Sequence, residues 1–307
     1  MRKLISKLLV CLQVGAMVVL ATAVQTTAQD TLRVVTVNYP LQYMAQRLLG
    51  DTAEVVFPVP PGTDPSFWRP SVSDISMIQE ADLIVLNGAG FATWIDRVSL
   101  PRARIVNTSN GLTDAFIVTE SITHSHGDGG EHSHEGLAAY TWLDPQLAIA
   151  QAEAIAAAIT RRNLAPKDEV AARLIDLTTD LTELDARARN TLAPLEGVSL
   201  IATHPRYQYF ARRYGLSISA LEWGSGATPS EKDMADLQEL SKQTGAVTLI
   251  WEAQPPQKGL DLVSALGVGS VVFEPLAHAP GEGDFISYFD DAVTALAETA
   301  SATDTQN

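Results

Sequence analysis

Apolar positions recur along this chain in two alternating registers. Short aliphatic and β-branched runs, LRVVTVNY (Leu32 to Tyr39), AEVVFPV (Ala53 to Val59), Asp82 to Asn87 and Arg104 to Asn107, predict buried strands. Between them PLQYMAQRLLG and SDISMIQEA carry apolar residues three and four apart, which predicts helices. The pattern returns in the second half. VSLIATH, LSISALEW, AVTLIWEA and SVVFEP read as strands; PRYQYFARRYG, PSEKDMADLQELSKQTG, PQKGLDLVSALG and a segment from Asp284 to about Ala300 read as helices. Thr228, with Glu231 three residues on, is the expected cap of the second of these helices, and the closing SATDTQN is expected to be disordered. Such alternation predicts βαβ units and mainly parallel sheets.

The two halves are separated by a different pattern. Asp144 followed by Pro145 reads as N-cap and first turn of a helix reaching about Arg162. A second helix begins near Pro166, and Leu174, Leu177, Leu181, Leu184 and Ala188 form one apolar stripe along it. Its roughly 26 residues span about 39 Å at the α-helical rise, and Pro194 and Gly197 end it. The fold class predicted is α/β: two lobes, each a mainly parallel sheet flanked by helices, joined by one long rigid helix. The boundaries are a leader over 1–28, a first lobe over 29–165, the linking helix over 166–195 and a second lobe over 196–307. The halves do not repeat each other closely enough in sequence to mark a duplication.

The leader changes the setting. Arg2, Lys3 and Lys7 precede an apolar run from Leu8 to Val24 and the small residues up to Ala28, the order of a cleaved secretory signal peptide, so a periplasmic location is expected. The run is interrupted by Gln13 and is short for a membrane span. Cys11 is the sole cysteine, so the exported chain has no thiolate for metal or disulfide. Losing residues 1–28 removes three basic and no acidic groups, leaving 18 basic against 36 acidic, a formal charge of −18. Nucleic acid and anionic membrane are poor partners for such a chain.

Four of the six histidines, His124, His126, His132 and His134, form two His-x-His pairs within a Gly, Asp, Glu and Ser background over 123–135. Imidazole is the common neutral ligand for zinc and its neighbours, so the stretch reads as a loose metal-collecting loop; the plainer alternative is a polar insertion that binds nothing. His204 and Glu274 each end a predicted strand, where parallel sheets place ligands; a helix-terminus hydrogen bond for His204 and a solvated acid for Glu274 are the structural alternatives. His278 is expected at the surface. No phosphate-binding Gly loop, nucleophile elbow or His-Glu-x-x-His motif occurs, so no enzyme is expected.

Taken together, VVTVNYPLQYMAQRLLGD, VPPGTDPSFWRPSVSD, IQEADLIVLNGAGFATWID, the His-rich loop before WLDP, IATHPRYQYFARRYGL, TLIWEAQP and FEPLA resemble, in order, the metal-ion solute-binding proteins of bacterial ABC importers, the zinc and manganese group. The resemblance implies a carrier of a divalent ion, zinc first, delivering it to a membrane permease, and a monomer. It also implies a ligand set of three histidines and a late carboxylate, at positions that carry Ser66, Tyr140, His204 and Glu274 here. Three readings follow. His204 and Glu274 hold zinc, helped by a loop histidine; or Tyr140, His204 and Glu274 form a harder site for iron or manganese; or the cleft, lined by Ser66, Trp68 and Arg69, takes a non-metal ligand or partner.

Overall fold

The computed structural model describes residues 31–119 and 136–304. The leader and the four loop histidines His124, His126, His132 and His134 lie outside them. In the first lobe β1 (Leu32–Thr36), β2 (Ala53–Val56), β3 (Leu83–Leu86) and β4 (Ile105–Asn107) pair in parallel in the order β2-β1-β3-β4. Helices α1 (Tyr39–Leu49) and α2 (Val72–Glu80) connect them, the latter started by a reciprocal Ser71–Asp74 capping box. A two-residue antiparallel ribbon, β5 (Val118–Thr119) with β6 (Gly136–Leu137), flanks the His-rich stretch. It is too short to leave a periodic signal in the sequence.

Asp144 caps α3 (Pro145–Arg161) by accepting from the Gln146 N–H, as Asp-Pro requires. Helix α4 (Lys167–Leu192) follows and buries Val170, Leu177, Leu181, Leu184, Ala188 and Leu192 along one face. In the second lobe β7 (Ser199–Ala202), α5 (Gln208–Tyr214), β8 (Ser217–Ala220), α6 (Glu231–Thr244), β9 (Thr248–Trp251), α7 (Gln257–Ser264), β10 (Gly269–Val272) and α8 (Phe285–Asp304) complete the chain. This sheet is also wholly parallel, in the order β10-β9-β7-β8. Numbered from its own first strand and read from the other edge, that is the order of the first sheet. The topology repeats although the sequence does not.

Side chains alternate across the second sheet as a pleated strand demands. Leu200, Ala202, Ile250 and Phe273 join the core that continues through α4 and α8 into the first lobe, whereas Ile201, Leu249 and Trp251 face a smaller core under α6 and α7. Two sequence expectations are corrected. The cap of α6 is Ser230, not Thr228, because Ser230 and Asp233 satisfy each other's backbone N–H while Thr228 is held extended by Pro229. Helix α8 runs on to Asp304, since its last turn packs Thr299 and Thr303 over Gly269 of β10, where no side chain stands in the way.

Candidate metal site

The ends of the four strands of the second sheet all carry titratable groups. His204 stands two residues past β7, Glu222 two past β8, Glu252 one past β9 and Glu274 two past β10. This is the edge at which parallel sheets bind ligands. The Nδ1 of His204 is 3.3 Å from the Trp223 carbonyl. A carbonyl only accepts, so Nδ1 carries the proton and Nε2 is the basic nitrogen, 3.9 Å from a Glu222 carboxylate oxygen. Carbonyl-oriented imidazoles of this kind are the usual form of a metal-binding histidine. Burial raises the Glu222 carboxyl, Arg206 opposing and Glu252 adding to the shift.

Glu274 is half-buried, its N–H donating to the Tyr288 hydroxyl at 3.0 Å. Burial raises its carboxyl too, with His278 acting the other way. His278 is not at the open surface: it lies against Phe57 and its Nε2–H donates to the Thr63 carbonyl at 2.6 Å, so its basic nitrogen is Nδ1. Between these two residues Leu276 adopts a left-handed φ of 56°. That strain, about 1 kcal/mol or more, is held by a fully buried side chain and by two bonds from the first lobe. Trp142 Nε1–H donates to the Pro275 carbonyl at 2.8 Å and the Tyr39 N–H to that of Ala277 at 3.0 Å.

Ser66 and Tyr140 do meet, their hydroxyls 3.4 Å apart and both buried. They face a cation of the protein itself. Arg206 donates through Nη1 to the Tyr140 hydroxyl, through Nη2 to Asp64 at 2.7 Å and through Nε to Glu252 at 3.1 Å, with its guanidinium 4.8 Å from the Tyr140 ring centre. Burial pushes the Tyr140 phenol far up, only partly countered by Arg206. In this setting the hydroxyl keeps its proton and accepts from the Arg206 guanidinium. Asp64 behaves oppositely: burial alone would raise it, but Arg206 and the Ser66 N–H hold it below the usual carboxylate range.

Tyr140 is placed from behind by a buried amide network. Asn87 Nδ2 donates to the Ala139 carbonyl at 3.0 Å, and Gln151 Nε2 donates to Asn87 Oδ1 at 3.0 Å and Thr108 Oγ1 at 2.8 Å. Trp68, expected to line the cleft, instead packs edge-on against Trp94 in the first-lobe core, and Arg69 is exposed. The charge that enters the cleft is Arg206. Among the described residues no three His, Cys, Asp or Glu side chains converge as a ready metal cage. The sequence reading missed Arg206, Glu222, Glu252 and the inward turn of His278. The strand-end rule that picked out His204 and Glu274 applies equally to LEW and IWE.

The sequence model of the zinc-uptake complex component A, periplasmic (ZnuA), family matches residues 34–299. The zinc-binding lipoprotein AdcA of Streptococcus pneumoniae is 28% identical over 92% of this chain, which spans 59% of that protein's length. The high-affinity zinc uptake system protein ZnuA of Bacillus subtilis is 28% identical over 80% of this chain and 79% of its own. Among solved structures, the Bacillus subtilis metal-dependent lipoprotein YcdH superposes with a TM-score of 0.74 at 24% identity, covering 88% of this chain and 99% of that one. A crystal structure of ZnuA gives 0.70 at 23% identity, covering 88% and 100%. These likenesses support the two-lobed fold, and the match over residues 34–299 means that the chain belongs to the ZnuA family.

Proposed function

We propose that this protein is the periplasmic solute-binding component of a metal-ion ABC importer, capturing zinc as its cargo and passing it to a membrane permease. The single observation that carries the reading is the strand-end edge of the second lobe. There His204 turns its basic Nε2 toward the carboxylate of Glu222, and Glu274 follows β10, two strands across the sheet from β7, with a carboxyl that burial makes costly to charge. A bound divalent cation repays that cost. His204 and Glu274 are the proposed ligands, with one or more of His124, His126, His132 and His134 completing the shell. Related proteins named for zinc uptake and zinc binding support zinc as the ion. The Tyr140 hydroxyl is already engaged by the Arg206 guanidinium, a fixed positive charge that competes with an iron or manganese ion for it.

Metal content of protein isolated from the periplasm, with and without chelation, tests the reading, and calorimetry with zinc, manganese and iron sharpens it. Deleting 123–135 is expected to weaken the tight zinc event if the loop completes the shell. A tight event that survives this deletion makes the loop a collector only. Protein that carries no metal and takes none up would sink the proposal.

A further inference from the structure

In the cleft one side chain bridges the two lobes. Asp64 and Tyr140 come from the first lobe, Arg206 and Glu252 from the second, and the guanidinium spends one nitrogen on each partner. Arg206 is 11% exposed and Glu252 7%, so the pair is out of bulk water, where opposite charges interact strongly and an unpaired one is costly. The planar fork suits this task in a way a lysine would not. Arg206 also lies two residues past His204 on the same turn, so any cation on that histidine sits near a fixed positive charge.

We propose that Arg206 is the specificity-determining residue of the cleft: as a resident cation it ties Asp64 and Tyr140 to Glu252 without metal, keeps divalent ions off those three groups, and confines metal to the side of His204 and Glu274. The confinement rests on the metal-capture reading given above; the tie between lobes does not. Removing the guanidinium leaves two facing carboxylates and a phenol, an all-oxygen set that hard divalent ions accept.

The test compares metal-free wild type, Arg206→Gln, and the neutral triple variant Asp64→Asn/Arg206→Gln/Glu252→Gln. Bound zinc and manganese are counted by equilibrium dialysis, and amide hydrogen exchange is followed over 139–143 and 203–207. Arg206→Gln is expected to bind one more divalent ion than wild type. In both variants metal-free exchange should quicken by roughly a hundredfold or more, the order expected when a buried ionic tie is cut. The triple variant should gain no ion. It carries no uncompensated buried charge, so it folds whatever Arg206→Gln does, and wild-type exchange rates in it overturn the tie. A wild-type metal count in folded Arg206→Gln overturns the confinement. If wild type binds no metal while exchange in the variants quickens as expected, the metal-capture reading fails and the tie stands.

Discussion

The two lobes share one strand order and differ in what they place at the strand ends. In the first, the positions after β1, β3 and β4 hold Asn38, Asn87 and Thr108, all buried and bonded to one another or to backbone. In the second, the ends of β7, β9 and β10, the counterparts of those strands, hold His204, Glu252 and Glu274. Neutral amides and hydroxyls satisfied among themselves make a rigid floor. Acids and imidazoles, whose charge is expensive when buried, make a surface that gains by meeting a cation. One topology thus serves as platform in one lobe and, in the proposed reading, as binding edge in the other.

The sharpest way to break this comparison is to exchange the costs. His204→Ala or Glu274→Ala is expected to weaken zinc binding by more than roughly a hundredfold in chelator competition, with little loss of thermal stability. Asn87→Ala should do the reverse. It strands Gln151 and the Ala139 carbonyl and is expected to cost about 2 kcal/mol in denaturant unfolding, with zinc affinity nearly kept. If Asn87→Ala instead abolished binding at unchanged stability, the division of labour between lobes would be wrong.

A smaller effect separates the carboxylates by the sign of their pH dependence. Asp185, paired with Arg213, and Asp64 both have lowered values despite burial, so their contribution to stability is present above the ordinary aspartate range and is lost as pH falls through the depressed folded value. Melting temperature should drop on the acid side, and Asp185→Asn should flatten that limb. Glu274 is raised by burial, so its contribution is present below the ordinary glutamate value and lost as pH rises through the folded one. Metal-free Glu274→Gln should therefore melt slightly higher than wild type at pH 7 and equally at pH 3. Trp142→Phe removes one cross-lobe bond, and the part of its cost due to that bond is expected to be the smallest of these effects, about 1 kcal/mol beyond the packing lost from the core.

The fold was largely legible because its signals are local. Strands are short aliphatic runs ended by polar residues, and the α4 stripe repeats at helical spacing over 26 residues. The repeat of strand order was not legible, since topology lives in pairing and not in identity. At the proposed site, His204 and Glu274 could be named from strand ends alone. Arg206 could not: PRYQYF reads as a helix start, and nothing local says that its arginine crosses to Asp64, 142 residues earlier. Trp68 misled for a similar reason, because a tryptophan in a Pro-rich loop looks like a lining residue until Trp94 supplies the core that receives it.

Trp142 has a further use. Its indole is fully buried, surrounded by Phe91 and Tyr140, and its N–H is spent on a carbonyl of the opposite lobe. The other four tryptophans are also buried, so the resting emission should be blue throughout. Parting of the lobes strips Trp142 of its carbonyl and admits water to its ring, shifting its emission to the red. The difference spectrum between wild type and Trp142→Phe is then an optical gauge of lobe separation that needs no added dye.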